Sequence, residues 1–384
     1  MKKIAILGAT GSVGLQAADV AENRGYKVDF LSANRDVKGV EALARRLNPK
    51  AVAMADESCA KDLKNRLYDT DICVLSGSDG IISGIKESDS EVVVNSILGE
   101  AGLMPTLAVI ESGKRLALAN KESLVVAGEI VMKKAAENSV EILPVDSEHS
   151  AIFQSLKSGK KEEIRRILLT ASGGPFRGKT KEQLKEVTLE QTLAHPTWKM
   201  GKKITVDSAT LMNKGFELIE AVHLFSTSED KIEILVHPES ILHSAVEYVD
   251  NAIIGEMSVP DMRMCVQYAV DYPEREKGSF VPLDFTTLGK LTFFKPDYEA
   301  FPLLSLARRA AKEGGAMGAV MNSADEEAVA AFLEGKISFS EISDTVIKTY
   351  EKMSYASTLT ELSDILGAAH EARKIAKSYI GANS

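Results

Sequence analysis

The chain has 384 residues, of which 45% are hydrophobic, and it carries a formal net charge of −9. This length suggests two or three domains, and the hydrophobic fraction excludes a mainly disordered protein. The acidic balance disfavours nonspecific nucleic-acid binding, and the absence of any run of about eighteen apolar residues excludes a predicted membrane span.

The cysteine content and the first residues both bear on the cellular compartment. The three cysteines, Cys59, Cys73 and Cys265, form no CxxC pair, and an odd count argues against a disulfide framework or a cysteine zinc site. Each lies among apolar or helical neighbours, which predicts buried, inert thiols. A strand predicted from Lys3 leaves no room for a targeting peptide, so we expect a cytoplasmic protein.

The first predicted strand, Lys3–Leu7, leads into a glycine-rich turn and then into an amphipathic helix that ends near Arg24. The turn, Gly8–Gly14, has the spacing GxxGxxG, a variant of the dinucleotide-binding fingerprint. Such glycines allow a tight turn and the close approach of a pyrophosphate to the helix N-terminus. A plain strand-to-helix turn is the alternative, and the flanking strand and helix make it the weaker one.

The second predicted strand, Lys27–Ser32, is followed by residues that bear on the choice of nucleotide. An NAD site usually has an acidic residue here for the ribose hydroxyls, whereas an arginine accommodates a 2′-phosphate. Arg35 therefore favours NADPH, with Asn34 beside it. Asp36 leaves a solvated charge pair as the alternative.

Later strands alternate with helices, which predicts a parallel, doubly wound sheet. Ligands bind at the carboxyl ends of such strands, so the segment Ala119–Glu122 is a candidate cofactor edge. Asn120 acting only as a helix cap is the alternative. The strands are predicted at Ala51–Met54, Ile72–Leu75, Glu91–Asn95 and Arg115–Ala119.

Two segments of the middle third carry acidic residues with the spacing of a metal site. Asp146 and Glu148 would point the same way in an extended segment. In a helix, Asn213, Lys214 and Glu217 would share one face. Three hard oxygen ligands suit Mg²⁺ or Mn²⁺, and the amide and ammonium suit an anionic group of a substrate.

A phosphate pocket is predicted from a glycine turn in the same region. The turn Ser172–Gly174 follows a predicted strand at Leu168–Thr170, and it offers backbone N–H groups and a hydroxyl. Ser208, together with Asn213 and Lys214, would complete the pocket. Turn chemistry without a ligand is the alternative.

The loop that begins at His195 contains Trp198, the chain's single tryptophan. A large aromatic residue in a polar loop suggests a lid that excludes water, and a loop anchored to the core is the alternative. Further on, His237 and His243 are six residues apart, which does not match a zinc-binding helix. We interpret them as structural groups, or as groups that support other residues of the site, rather than as metal ligands.

Six segments resemble the 1-deoxy-D-xylulose 5-phosphate reductoisomerase family, and the similarity extends over almost the whole chain. One departure is Asn34-Arg35-Asp36, where the family often has Gly-Lys/Arg-Asn. The segments are GATGSVG at Gly8–Gly14, ANKESLV at Ala119–Val125, LPVDSEHSAIFQSL at Leu143–Leu156, SGGPFR at Ser172–Arg177, HPTWKMG at His195–Gly201 and VDSATLMNKGFELIEA at Val206–Ala221.

The resemblance implies a metal- and NADPH-dependent rearrangement and reduction of 1-deoxy-D-xylulose 5-phosphate to 2-C-methyl-D-erythritol 4-phosphate by a homodimer. It implies Asp146, Glu148 and Glu217 as ligands of Mg²⁺ or Mn²⁺. The expected catalytic residues are Glu148, Lys214, His195 and Trp198. The expected substrate contacts are Ser147, Ser172, His195, Ser208, Asn213, Lys214 and Glu217. The expected cofactor contacts are Thr10, Gly11, Ser12, Val13, Asn34, Arg35, Asn120, Lys121, Glu122, Gly201 and Met262.

The expected architecture is α/β with an N-terminal doubly wound Rossmann-like domain, an α+β catalytic domain and a C-terminal helical bundle. The expected boundaries are residues 1–146, residues 147–270 with a flap at 195–202, a linker at 271–297, and residues 298–384.

Two other functions compete with this one. Another NADPH-dependent Rossmann oxidoreductase, such as a semialdehyde or homoserine dehydrogenase, would not explain the acidic trio. A noncatalytic NADPH sensor would have no need for these three acidic residues.

Overall fold

The computed structural model describes residues 1–198 and 200–382. Lys199, within the predicted flap, and the last two residues of the predicted C-terminal domain lie outside this description. The chain divides into two compact units, each assembled from separate stretches of sequence. Unit 1 comprises Met1–Ser123, Val131–Ser150 and Asp261–Val281, and unit 2 comprises Leu124–Ile130, Ala151–Pro260 and Pro282–Ser384.

The described residues form two β-sheets, one in each unit. The strands are β1 Lys3–Leu7, β2 Lys27–Ala33, β3 Ala51–Met54, β4 Cys73–Ser76, β5 Val92–Asn95, β6 Arg115–Leu118, β7 Ile142–Pro144, β8 Ile164–Ala171, β9 Ile232–Val236, β10 Leu242–Tyr248 and β11 Ile253–Met257.

Helices connect and cover the strands. They are α1 Ser12–Arg24, α2 Val37–Leu47, α3 Glu57–Arg66, α4 Gly77–Glu87, α5 Leu103–Glu111, α6 Glu122–Glu137, α7 Ser147–Ser155, α8 Lys181–Leu184, α9 Leu189–Leu193, α10 Lys202–Ala209, α11 Met212–Leu224, α12 Met262–Asp271, α13 Pro302–Glu313, α14 Met317–Leu333, α15 Phe339–Lys352 and α16 Leu362–Ala382. None of these helices combines the length and the apolar character needed to cross a bilayer.

Unit 1 contains a seven-stranded parallel sheet in the order β4-β3-β2-β1-β5-β6-β7. Its central strands are short apolar runs that are buried on both faces, as expected when helices cover a parallel sheet on both sides. The order reverses direction at β1, so the turn after β1 lies at the position where doubly wound folds bind ligands. The predicted doubly wound sheet is confirmed.

A helix from much later in the chain completes unit 1. Helix α12 packs on α1. The hydroxyl of Tyr26 donates to Asp271 Oδ1 at 2.5 Å, and the Lys2 ammonium lies 3.1 Å from the same oxygen. The Arg115 guanidinium donates to the carbonyl oxygen of Tyr272 at 2.6 Å. These contacts tie the end of α12 to the start of the first two strands and to β6.

Unit 2 is built on a mixed four-stranded sheet in the order β11-β10-β8-β9. β8 is parallel to β9 and antiparallel to β10, and β10 is antiparallel to β11. The helices of the last third pack on one another and on α11, and their buried positions are largely alanine, leucine and valine. The predicted α+β unit and the helical C-terminal region are therefore confirmed.

One sequence expectation about the cysteines is wrong. Cys265 is buried in α12 and Cys59 is half-buried in α3, but Cys73 is exposed at the start of β4. Because β4 is the outermost strand of its sheet, its first residue is not covered by a further strand. A short apolar run indicated a buried strand without revealing that the strand lies at an edge.

Candidate active site

The chain between β1 and the first turn of α1 is so tightly packed that two of its positions admit only glycine. Gly8 has a φ of +74°, and a Cβ there would lie 2.7 Å from the carbonyl oxygen of Ser96. A Cβ on Gly14 would lie 2.2 Å from the carbonyl oxygen of Gly8. Gly11 precedes α1 without a side-chain cap, so Ser12 and the residues after it present first-turn N–H groups that have no partner within the helix. This geometry suits a pyrophosphate.

Two charged residues follow β2: Asp36 caps a helix, and Arg35 is an exposed cation. Asp36 is the N-cap of α2, and its carboxylate accepts from the backbone N–H of Gly39 at 2.9 Å. Asp36 is therefore engaged in capping its own helix. Arg35 has a side chain that is 77% exposed, and its Nε lies 3.1 Å from Asp56 Oδ2. The position next to the glycine turn thus offers a guanidinium that can reach an anion.

At the end of β6, the amide of Asn120 is fully engaged in holding the backbone. Its Nδ2, which has two protons, lies 2.7 and 2.9 Å from the carbonyl oxygens of Ile97 and Gly99 and 2.9 Å from Glu122 Oε2, so these three acceptors share its two N–H groups. Its Oδ1 accepts from the N–H of Ser123 at 3.1 Å, which caps the start of α6. The capping alternative therefore describes what this side chain does in the structure. The charged side chains of this segment are those of the next two residues, Lys121 and Glu122.

The interpretation of Asp146 and Glu148 as alternating residues of an extended segment is wrong. Helix α7 begins at Ser147, and Asp146 acts as its cap, accepting from the N–H of Glu148 at 3.1 Å. Glu148 is therefore in the first helical turn, where the Ser147 hydroxyl donates to its Oε2 at 2.5 Å. A carboxylate at a helix N-terminus is favoured by the helix dipole, which explains the acidic start of α7.

Two residues hold the Asp146 carboxylate in place. The Lys121 ammonium lies 2.6 Å from Asp146 Oδ2, and His149 Nδ1 lies 3.2 Å from Oδ1. His149 is fully buried and was not among the predicted site residues. Its position three residues after Asp146 was a usable signal, since in a helix that spacing brings the two side chains together. Because β6 and β7 are neighbours, Lys121 and Asp146 follow adjacent strands at the same edge of the sheet.

In unit 2, the predicted face of Asn213, Lys214 and Glu217 exists on α11. The Asn213 amide donates to Glu217 Oε1 at 2.6 Å, and the Lys214 ammonium forms an ion pair with Glu217 Oε2. Lys214 and Glu217 are both buried. A buried carboxylate is costly unless a partner compensates it, so Lys214 and Glu217 depend on each other.

The Ser172–Gly174 turn lies against the helix that carries Ser208. Gly173 and Gly174 have φ values of +83° and +64°, so the turn requires glycine. A Cβ on Gly174 would lie 2.6 Å from the carbonyl oxygen of Ser208. The helix that carries Ser208, α10, in turn packs on α11, which carries Asn213, Lys214 and Glu217.

His195 is held in a defined tautomer. Its Nδ1 accepts from the backbone N–H groups of Thr197 and Trp198 at 3.2 and 2.9 Å, so the ring proton is on Nε2. That Nε2–H donates to Ser172 Oγ at 3.0 Å. Burial lowers the pKa of His195, which keeps the ring neutral near pH 7. Because Ser172 Oγ accepts this bond, its own proton remains a donor for an anion.

The remaining predicted residues lie at helix starts or against other rings. The indole of Trp198 is 6.2 Å from the ring of His243, centroid to centroid. Gly201 is the N-cap of α10, and Met262 is the first residue of α12 in unit 1. His237 accepts from the N–H of Leu242 at 3.2 Å and fixes the backbone before β10, as expected for a structural histidine.

The chemistry of these groups is that of an enzyme acting on an anion. Unit 1 offers a phosphate-binding turn with a nearby arginine and, at β6 and β7, a lysine with two carboxylates. Unit 2 offers two hydroxyls, a neutral imidazole, an amide, an ammonium and a buried carboxylate. Carboxylates are hard oxygen ligands suited to Mg²⁺, and the donors of unit 2 suit a phosphate.

Family models match three consecutive parts of the chain. The model described as 1-deoxy-D-xylulose 5-phosphate reductoisomerase matches residues 4–128. The model of the C-terminal domain of that enzyme matches residues 142–225, and the DXP reductoisomerase C-terminal domain matches residues 257–375.

Relatives with this name are similar over the full length. A 1-deoxy-D-xylulose 5-phosphate reductoisomerase from Acetivibrio thermocellus is 50% identical, with 99% of this chain and all of the relative covered. The enzyme of that name from Caldanaerobacter subterraneus subsp. tengcongensis is 50% identical with the same coverage.

Solved structures of the same enzyme share the fold. The reductoisomerase from Zymomonas mobilis in complex with NADPH is 43% identical, with a TM-score of 0.92 and 99% of both chains covered. A DOX-P reductoisomerase in complex with NADPH, fosmidomycin and magnesium is 38% identical, with a TM-score of 0.92 and coverage of 99% of this chain and 98% of that chain. This chain belongs to the 1-deoxy-D-xylulose 5-phosphate reductoisomerase family.

Proposed function

We propose that Asp146, Glu148 and Glu217 hold the divalent cation with which this family member works. The chain is an NADPH-dependent oxidoreductase that rearranges and reduces 1-deoxy-D-xylulose 5-phosphate to 2-C-methyl-D-erythritol 4-phosphate, and its cofactors are NADPH and Mg²⁺. The observation that best supports the ligand set is the placement of its carboxylates. Asp146 and Glu148 start one helix, and Glu217 is buried beside an ammonium and an amide.

The substrate phosphate binds in unit 2 in this proposal. Ser172 and Ser208 supply hydroxyl donors, and Asn213 and Lys214 supply an amide and an ammonium, so that neutral and charged donors surround the anion. His195 orients the Ser172 hydroxyl through its Nε2–H, because the bond at 3.0 Å leaves the serine proton pointing elsewhere. The contact at Gly174 keeps the serine turn against α10.

The nucleotide binds at the sheet edge of unit 1. The pyrophosphate lies against Thr10–Val13 at the start of α1, and Asn34 and Arg35 contact the 2′-phosphate region. Asn120 holds the backbone so that Lys121 and Glu122 face the nicotinamide side. Met262 and Gly201 complete the predicted set of cofactor contacts.

The residues of this chain bind, orient and shield the reacting groups. When bound, the cation supplies Lewis-acid polarisation of the substrate ketone and hydroxyl, and NADPH supplies the hydride. Glu148 is both a metal ligand and an orienting group, and Lys214 contacts the substrate anion. His195 and Trp198 belong to a flap that excludes water from the site. Phosphate binding supplies the energy that orders this flap.

Three finer points extend the proposal. Mn²⁺ replaces Mg²⁺ at this site, since both prefer carboxylate oxygens. The enzyme works in the cytoplasm, which is supported by three free cysteines. It is a homodimer in which the edge strand β11 pairs with a second copy. Residues Ile253 and Ile254 on that strand are 57% and 40% exposed, and an exposed apolar edge strand is a template for pairing.

NADPH oxidation by the purified protein with 1-deoxy-D-xylulose 5-phosphate tests the reaction directly. We expect turnover with Mg²⁺ or Mn²⁺, complete loss with EDTA, and recovery when the metal is restored, because the substrate is activated by the cation. A folded protein that binds NADPH but does not oxidise it under these conditions would contradict the proposal. Turnover in EDTA would exclude the metal requirement.

Glu217→Gln tests the ligand on α11. We expect kcat to fall about 100-fold or more, since loss of a ligand should exceed the 10–100-fold loss typical of a residue that only supports one. The Kd for NADPH, followed by fluorescence, should stay unchanged. Asp230→Asn is the control, because it removes an exposed carboxylate of unit 2. Normal turnover of Glu217→Gln would show that the metal assignment is wrong.

Arg35→Gln tests the choice of nucleotide. We expect the KM for NADPH to rise roughly 10-fold or more, because a hydrogen bond to a charged group contributes about 1.5–3 kcal/mol, and the KM for NADH to stay unchanged. Arg45→Gln, on the neighbouring α2, removes a guanidinium that pairs with Asp69 and should affect neither value. An equal rise for both nucleotides would exclude a role in recognising the 2′-phosphate.

The double variant Ile253→Lys/Ile254→Lys tests the dimer. We expect the wild type to have the mass of a dimer by light scattering, and the variant to shift to monomer because paired edge strands would bring lysines together. Tyr68→Lys changes an exposed residue of unit 1 and serves as control. A variant that remains dimeric would place the interface elsewhere.

A further inference from the structure

The ammonium of Lys203 lies where three helices of unit 2 meet. Lys203 is in the first turn of α10, directly after the flap, and its side chain is 21% exposed. Its Nζ lies 2.6 Å from Asp207 Oδ2, one turn further along the same helix. It also lies 2.8 Å from Asp325 Oδ2 on α14, and 5.3 Å from the centroid of the Phe216 ring on α11.

Two of the three contacts of Lys203 are made by residues that lie close in sequence to the phosphate pocket. Asp207 directly precedes Ser208. Phe216 directly precedes Glu217 and follows Lys214 by two residues. One side chain therefore connects the helix that carries the serine hydroxyl to the helix that carries the ammonium and the amide.

The link that Lys203 makes between α10 and α14 is strong because the carboxylates of Asp207 and Asp325 are removed from water. Asp325 is fully buried and Asp207 is nearly so. Burial raises the pKa of Asp325, while the Lys203 ammonium and a hydrogen bond with Asp207 oppose that effect. Removing the ammonium would leave buried acidic groups uncompensated, which is strongly unfavourable. The two carboxylates thus fix the position of the Lys203 ammonium, and Lys203 in turn fixes α10 against α14.

We propose that Lys203 is a positioning residue that fixes α10 against α11 and α14, so that Ser208 converges with Asn213 and Lys214 on the substrate phosphate. The proposal rests on the assignment of these three residues to phosphate binding. A helix that slides or rotates by about 1 Å moves the serine hydroxyl out of hydrogen-bonding range, and misplacement on that scale can cost 100-fold. Lys203 itself need not touch the substrate.

A positioning role predicts a selective kinetic effect. The KM for 1-deoxy-D-xylulose 5-phosphate should rise about 10-fold in Lys203→Met, because phosphate contacts are lost. The KM for NADPH should rise no more than about threefold, because Gly201 at the start of α10 is the one predicted cofactor contact in unit 2, whereas the glycine turn and Arg35 belong to unit 1. A residue that acted only on stability would change the melting temperature without this selectivity.

The experiment compares four variants by steady-state kinetics, thermal melting and calorimetric titration with inorganic phosphate. Lys203→Met removes the ammonium, and Lys203→Met with Asp325→Asn also removes one buried charge, so that the double variant folds if the single one does not. Lys203→Arg keeps the charge and should restore KM to within about threefold. Lys377→Met removes an exposed lysine that pairs with Glu327 of α14, and it should match the wild type.

The outcomes separate the two proposals. A 10-fold weaker Kd for phosphate in the double variant, with a melting temperature near that of the wild type, supports positioning. An unchanged phosphate Kd and an unchanged substrate KM would overturn it, as would recovery of the wild-type KM by the double variant. A wild type that binds phosphate but does not turn over the substrate would contradict the proposed function alone.

Discussion

Burial of carboxylates beside lysines is the constraint on which the site depends. In unit 1 the Asp146 carboxylate is held by the ammonium of Lys121, and in unit 2 Glu217 is paired with Lys214. A carboxylate that is withdrawn from water without such a partner would cost several kcal/mol or take up a proton. Each lysine compensates the charge of its carboxylate partner in the interior, and carboxylate oxygens are the ligands that Mg²⁺ prefers. The charges that stabilise each unit are the same charges that the proposed chemistry requires.

The fold was predictable where local pattern and tertiary environment agree. Strand β1 and helix α1 have the bounds expected from the apolar run, the glycine turn and the helical periodicity that follows. The face of α11 was also predictable, because a spacing of three or four residues in a helix fixes which side chains meet. The C-terminal helical region was predictable as well, because its sequence is rich in alanine with leucine, isoleucine and valine at helical spacing.

The failures arose where one local pattern supports two structures. The sequence Asp146-Ser147-Glu148 fits both an alternating strand and a capped helix start. The helix forms because the side chain of Asp146 accepts a hydrogen bond from the backbone N–H of Glu148. Cys73 shows that an apolar run does not reveal whether a strand is central or peripheral. Lys203 was missed because its partner Asp325 is 122 residues away, and a single sequence carries no signal for such a contact.

Helix α12 lies late in the sequence but packs on an early helix, and this has a consequence for folding during synthesis on the ribosome. Tyr26 and Asp271, which are hydrogen-bonded, are separated by 245 positions in the chain. The first strands and α1 emerge early, yet the helix that packs on α1 is translated only after the sheet of unit 2. The face of α1 that packs on α12 thus stays uncovered for most of translation, although β1 and α2 cover other parts of α1 early. A nascent chain with exposed apolar surface is prone to aggregation and is a substrate for chaperones, so the order of translation gives this enzyme a long vulnerable interval.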